Sequence, residues 1–304
     1  MTRRALLTSL PLTAMLAGAA AAPASAEAYP HRTPVGASAA PGWISGVCDD
    51  QPDAFGTWRG STVAIVGLFG DASLAAQLEQ WQFANSAFSA DVDLAVGGPI
   101  DHTWAQVAAG SEVERWKQLA AVLRDNWHYR TVSIRYAHEA NGTWMPWSVA
   151  AAEVPAFRTA FRLFAATIRS ELAGHDVRIA FAPNFGTWPY SPNSMWPGND
   201  VVDVVGLSIY EWTLYDTAAK WKAFVSSSIG PATWLAFAKA HGKPLAFSEW
   251  GGQSAYFIKA MHDWIAAHAG TGPGQLLYEV YLNGNELLLT GATAGQYRAL
   301  RWGR

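Results

Sequence analysis

Eight short apolar runs rich in β-branched residues recur along the chain, near 43–48, 62–68, 92–97, 131–136, 177–182, 202–209, 244–248 and 276–282. Several are apolar almost without interruption, as in Val63-Ala64-Ile65-Val66-Gly67-Leu68. Strands covered on both faces of a parallel sheet read this way, because neither face meets water. Between the runs the period changes. Phe157, Phe161, Phe164, Ile168 and Leu172 recur at spacings of three and four within 151–173, and Val113, Trp116, Leu119 and Leu123 lie on one face within 112–124. That spacing gathers apolar positions into a helical stripe. The connection 49–61 carries no such stripe and reads as a loop, which leaves the alternation one helix short. Eight strand–helix alternations predict an α/β fold, a single-domain (β/α)8 TIM barrel over 42–304. The rival is an open doubly wound sheet. No G-x-G-x-x-G turn follows the first strand to support it.

The first 26 residues have a different character. Arg3 and Arg4 precede an apolar run from Ala5 to about Ala22, broken by Pro11, and Ala24-Ser25-Ala26 follows. This predicts a secretory signal over 1–26 cleaved near Ala26, and a secreted or periplasmic mature protein. Thr2-Arg3-Arg4 resembles the start of a twin-arginine signal. The run is too short and too interrupted for a membrane span, so no membrane is expected as a partner once the signal is removed. Residues 27–41 are rich in Pro, Ala and Ser and read as a flexible lead-in.

Composition narrows the chemistry. Of 304 residues, 50% are hydrophobic and only 15% charged. The usual charged share is about 25%, so the chain can bury a large core and is not a disordered tail. Net charge is −3, and no basic run follows Arg3-Arg4, so nothing builds a surface for nucleic acid. The lone Cys48 excludes an intrachain disulfide and a Cys-rich zinc site. The histidines are dispersed with no His-Glu-x-x-His, and no G-x-S-x-G is present. No metal and no cofactor are implied.

Sixteen tryptophans are the compositional outlier. Trp58, Trp104, Trp144, Trp147, Trp188, Trp196, Trp212 and Trp250 fall in the predicted connections that follow strands. In a barrel of this kind those connections gather at one end and build the site. Each indole alone could be packed onto the rim. Together they suggest a cleft for a sugar, whose axial C–H faces stack on indole while its hydroxyls need polar partners. The candidates for stacking are Trp144, Trp147, Trp188, Trp212 and Trp250.

Two carboxylates sharpen this reading. Glu139 follows the fourth strand and Glu249 ends the seventh, so residues far apart in sequence should meet across one barrel mouth. Glycoside hydrolysis needs such a pair, one acid to protonate the leaving oxygen and one carboxylate to attack the anomeric carbon or activate water. Arg135 is open to two readings, a barrel-core ion pair or a positioning group. His138 could be a structural histidine, and Tyr210 could be core. Asp203 could be a loop-edge acid or a substrate contact, and Glu211 and Glu279 have no assigned role.

These residues carry a resemblance. Arg135-Tyr136-Ala137-His138-Glu139-Ala140-Asn141-Gly142-Thr143-Trp144 is similar to the Arg-x-x-His-Glu-x-Asn-Gly-x-Trp stretch of glycoside hydrolase family 26, whose best-known members are secreted β-mannanases. Many related barrel families have Asn before the acid/base Glu, so His138 favours this one. Ser248-Glu249-Trp250-Gly251 resembles the family's nucleophile stretch, and 202–210 resembles the strand that delivers a Tyr beside it. The resemblance implies Glu139 as acid/base and Glu249 as nucleophile. It further implies that Tyr210, His138 and Arg135 are supporting groups, that Asn141 supports the same loop or fixes its geometry, and that the sugar configuration is retained. It implies a polysaccharide or oligosaccharide partner, with β-1,4-mannan as the leading substrate. The eighth strand ends Tyr281-Leu282-Asn283 without the Trp expected of a mannanase-like member. β-1,3-Xylan, a β-glucan or an exopolysaccharide therefore stay open, as do endo or exo action and oligomeric state. The reading from another class is a non-catalytic carbohydrate-binding barrel involved in exopolysaccharide handling. It would need the tryptophans but not two opposed carboxylates.

Overall fold

The computed structural model describes residues 42–70, 90–125, 127, 130–186 and 190–303. The expected signal, the lead-in and Trp188 lie outside the described residues. Eight parallel strands close into a barrel in sequence order, β1 pairing back to β8. They are β1 (Ile44–Cys48), β2 (Ile65–Gly70), β3 (Asp91–Val96), β4 (Val132–Tyr136), β5 (Val177–Phe181), β6 (Val204–Tyr210), β7 (Leu245–Gly251) and β8 (Leu276–Leu282). Each predicted run contributes one strand. The (β/α)8 architecture is thus the observed one, with ends displaced by a few residues. The largest displacements are at β2, which begins three residues later than its apolar run, and at β7, which ends three residues later.

The helices pack outside. They are α1 (Pro52–Arg59), α2 (Trp104–Ala108), α3 (Val113–Asp125), α4 (Val154–Glu171), α5 (Pro192–Met195), α6 (Ala218–Val225), α7 (Pro231–Ala240), α8 (Ala255–His268) and α9 (Gly291–Ala299). The α4 stripe buries Phe157, Phe161, Phe164 and Ile168 as its spacing requires. Phe164 stacks on Tyr136 of β4 with centroids 4.2 Å apart, and Trp116 of α3 meets Phe164 edge-on at 5.4 Å. Inside the barrel Ile65, Ala180, Val204, Ala246, Tyr278 and Val280 form a second, smaller cluster. No helix among the described residues is long and apolar enough to cross a membrane.

One expectation fails. The segment read as a loop contains helix α1. Pro52 sits in its first turn, where a missing N–H costs nothing, and Gly60 closes it at φ 79° in the left-handed region. Phe55 and Trp58 anchor it to the core. Gly56 and Thr57 are weak helix formers, and eight residues are too few for periodicity to register.

Two features shape the barrel. β1 and β2 approach closely at Gly46, where a β-carbon would lie 2.0 Å from the Ile65 carbonyl oxygen. Gly46→Ala should therefore force the strands apart and cost about 3 kcal/mol. A lowered urea-unfolding midpoint would register it, and an unchanged midpoint would contradict the close approach. The second feature is a bulge in β7. Gly206 and Ser208 of β6 pair with Ala246 and Glu249, and Phe247 and Trp250 pair with Glu279 and Tyr281 of β8. One extra residue in β7 breaks the in–out alternation. As a result Ser248 reaches Tyr278, the next residue Glu249 reaches Arg135 and Tyr210, and Trp250 points outward.

Candidate active site

Glu139 lies three residues beyond β4. The Ala137 N–H donates to the Val96 carbonyl at 2.7 Å and the Glu139 N–H to the Ala182 carbonyl at 2.8 Å, so the turn is tied to both neighbouring strands. Ala137 and Glu139 sit at φ 48° and 53°. A side chain in this left-handed region costs about 1–2 kcal/mol, which the two strand ties offset. The turn presents the Glu139 carboxyl to two neutral donors. Asn184 Nδ2 donates to Oε1 at 3.0 Å and Trp144 Nε1 to Oε2 at 2.8 Å. Gly142 makes room for that indole, since a β-carbon there would lie 2.3 Å from the Trp144 ring.

Asn141 holds the donor in place. Its Nδ2 donates to the Asn184 carbonyl at 3.0 Å, and its Oδ1 accepts from the Asn184 N–H at 2.9 Å. Asn184 bridges to Ser208, and Ser208 is in register with Glu249. The ends of β4, β5, β6 and β7 thus form one continuous rim that carries both glutamates.

Glu249 has a different environment. Arg135 Nη1 donates to its Oε1 and the Tyr210 hydroxyl to its Oε2. Arg135 is fully buried, and its Nε donates to Asp93 of β3. Asp93 also accepts the Tyr278 hydroxyl at 2.5 Å, and Tyr278 in turn lies 3.2 Å from Ser248 Oγ.

Burial first, and Glu249 second, push the Glu139 carboxyl above its ordinary pKa, against the hydrogen bonds from Asn184 and Trp144. Burial, then the Glu249 and Glu139 carboxylates, push Tyr210 well above the ordinary phenol value, so it remains a donor. Burial disfavours charge on Arg135, but Asp93 and Glu249 outweigh it and hold the guanidinium above its ordinary value. Burial, with Arg135 second, holds His138 well below the usual imidazole value, so this histidine is neutral. Its ring packs 5.3 Å from Trp147 and 6.0 Å from Phe69.

The tryptophans divide. Trp144 is 52% exposed and Trp212 54%. Trp212 leans on Tyr210 with ring centroids 5.0 Å apart. Trp147 and Trp250 are buried. Trp147 donates to the His138 carbonyl at 2.8 Å, and Trp250 donates to Glu279 at 2.6 Å beneath the helices. Neither offers an open face to a sugar. Trp58, Trp104 and Trp196 are buried as well. Of the tryptophans singled out from the sequence, Trp144 and Trp212 keep an exposed face among the described residues.

The remaining acids also find places. Asp203 pairs with Arg169 at 2.9 Å and accepts the Ile179 N–H at 2.8 Å just before β6, at the opposite end of the strand from Tyr210. Glu279 accepts Ser45 and Trp250 in the layer between barrel and helices. Buried Glu211 accepts the N–H groups of Tyr215 at 2.9 Å, and of Gln253 and Ser254 at 2.8 Å each, joining the connections after β6 and β7.

The model of glycosyl hydrolase family 26 matches residues 48–270. The chain belongs to glycosyl hydrolase family 26. As a family 26 member it is a glycoside hydrolase, acting on O-glycosyl bonds. No curated protein matches it. Solved structures share the fold at low identity. A modular endo-β-1,4-mannanase from Cellulomonas fimi aligns with TM-score 0.59 and 17% identity, over 85% of this chain and 70% of that one. A Bacillus subtilis mannanase aligns with TM-score 0.59 and 16% identity, over 87% of each chain. GH26C from Muricauda sp. aligns with TM-score 0.60 and 14% identity, over 85% of each.

In this family 26 barrel, sequence reasoning misses Asp93 and Tyr278 and gives Asn184 no role. A signal for Asp93 exists. An acid at the third position of the buried run Asp91-Val92-Asp93-Leu94-Ala95-Val96 requires a buried partner, and Arg135 on the next strand can supply one.

Proposed function

We propose that the protein hydrolyses a β-linked polysaccharide, with β-1,4-mannan as the leading substrate, by double displacement with retention of configuration. Glu139 is the general acid/base and Glu249 the nucleophile. A Glu249 oxygen attacks the anomeric carbon. The glycosidic C–O bond breaks, and its electron pair leaves with the oxygen, which takes the proton held by Glu139. The Glu139 carboxylate then accepts a proton from water. The water oxygen attacks the anomeric carbon, and the bond to Glu249 breaks, returning its electron pair to the carboxylate. Tyr210 and Arg135 hold Glu249 in line. Asn184, steadied by Asn141, and Trp144 orient Glu139, while His138 carries the turn from which Glu139 projects. Trp144 and Trp212 offer the faces for sugar. The protein acts outside the cytoplasm after cleavage near Ala26.

The observation that carries this reading is the contrast between the two carboxyls. Glu139 accepts only neutral donors and has its pKa raised, as a proton-donating acid requires. Glu249 is met by a guanidinium and a phenol. The β-1,4-mannan reading leans further on the mannanases among the solved structures of similar fold. The test is a panel of β-1,4-mannan, β-1,3-xylan, β-glucan and bacterial exopolysaccharide, with products followed by proton NMR. We expect mannan to be cut and the β-anomer to appear first. First appearance of the α-anomer would overturn retention. Inertness on the whole panel, combined with binding, would favour the carbohydrate-binding barrel.

A further inference from the structure

We propose that Asp93 is a positioning residue for the reaction, acting as the standing counter-ion that lets Arg135 release the charge of Glu249 when the glycosyl ester forms. This inference rests on the assignment of Glu249 as nucleophile. Five side chains define it. Arg135 is fully buried and donates through Nε to Asp93 and through Nη1 to Glu249. Asp93, also fully buried, accepts Arg135 on one oxygen and the Tyr278 hydroxyl on the other at 2.5 Å. Ser248 Oγ stands 3.2 Å from that hydroxyl and can donate to it, which frees the Tyr278 proton for Asp93. Both Asp93 oxygens thus face donors, the arrangement a carboxylate needs.

The charge balance across the reaction gives the argument its direction. In the free enzyme two carboxylates share one guanidinium, an excess of one negative charge in a buried cluster. Forming the ester removes the charge of Glu249, because its oxygen now shares an electron pair with the anomeric carbon. What remains bonded to Arg135 is Asp93, a closed pair, while the cluster's excess negative charge passes to Glu139, which has given its proton to the leaving oxygen. Without Asp93, Glu249 would be the carboxylate bonded to Arg135 in the free enzyme, and esterification would take that partner away, leaving in a dry site a cation whose nearest new carboxylate, Glu139, is held by Asn184 and Trp144, which is costly. Asp93 therefore keeps Arg135 paired when Glu249 gives up its charge. Tyr278 keeps the Asp93 carboxylate turned toward Arg135.

Asp93→Asn and Tyr278→Phe test this on 2,4-dinitrophenyl β-glycosides of manno-, xylo- and gluco-oligosaccharides, using whichever one the unaltered enzyme hydrolyses. With so good a leaving group, ester hydrolysis limits turnover, and the unaltered enzyme should release a burst of dinitrophenolate. Absence of any burst or turnover in the unaltered enzyme would defeat the nucleophile assignment and this inference with it. If the unaltered enzyme works, the variants judge Asp93 alone. Asp93→Asn should lower kcat/KM by about 100–1,000-fold and abolish the burst, because ester formation becomes the slow step. Tyr278→Phe should move both readouts the same way by about threefold to tenfold. Sugar affinity, measured by calorimetry with the unlabelled oligosaccharide, should stay within about threefold. An intact burst with kcat/KM within threefold in Asp93→Asn would overturn the proposal. So would a loss confined to KM, which marks a purely structural role. If Asp93→Asn fails to fold, Tyr278→Phe decides. A burst and kcat/KM equal to those of the unaltered enzyme would then count against the proposal.

Discussion

Glu249→Ala should lower kcat by about ten-thousand-fold or more, a loss of roughly 5.5 kcal/mol in transition-state stabilisation. The reason is geometric. The β7 bulge brings this carboxylate to the point where Arg135 and Tyr210 meet it, and alanine leaves those two donors facing empty space where the bond to the anomeric carbon should form. Sugar binding should survive, because Trp144 and Trp212 keep their exposed faces and are held by Glu139 and Tyr210, not by Glu249. Tryptophan fluorescence titration with oligosaccharide checks binding, and reducing-sugar release checks turnover. Residual turnover within a hundredfold of the unaltered enzyme would remove Glu249 from the nucleophile role.

Glu139→Gln should lower kcat on the natural polymer by about a thousandfold to ten-thousandfold, the upper part of what a positioned acid contributes. The loss should shrink sharply on dinitrophenyl glycosides, whose leaving group needs no proton. The pH profile carries a second signature. The raised pKa of Glu139 places the alkaline limb of kcat/KM above the ordinary carboxyl range, and that limb should vanish in the variant. Stability supplies a third, with a definite sign. A carboxyl raised in the folded state binds its proton more tightly there than in the unfolded chain. Its contribution to stability is complete below the ordinary value of 4.5 and is lost as pH rises through the folded value. Glutamine does not titrate, so the melting temperature of the variant relative to the unaltered protein should climb between acid and neutral pH. Replacing one oxygen by an amide also sets an NH2 against either Asn184 or Trp144, which shifts the whole curve down but leaves its slope. A pH-independent difference would contradict a raised Glu139.

How far these roles could be read from the chain depended on what carried each one. Strands announce themselves because burial on both faces demands uninterrupted apolar residues, and each of the eight runs delivers a strand. Glu139 and Glu249 are legible because a closed barrel forces the ends of β4 and β7 to one rim. Helix α1 is not, since its hold comes from Phe55 and Trp58 in tertiary contact and not from any stripe. Trp250 misleads for a related reason. Strict alternation says nothing of an extra residue in β7, and that residue turns Trp250 away from the mouth and toward Glu279. Tyr278 hides inside a strand, where only its partner across the barrel, Asp93, gives a polar side chain its meaning.

Glu211 has a consequence for anyone recombining barrels of this kind. One carboxylate stitches the segment after Tyr210 to the segment after Gly251, using four donors drawn from both. A chimaera that imports only one of these segments strands either the acceptor or its donors away from water. The pair should therefore be inherited and transplanted together, as a single cassette, and shuffled libraries with a crossover between residues 211 and 253 should yield few soluble members.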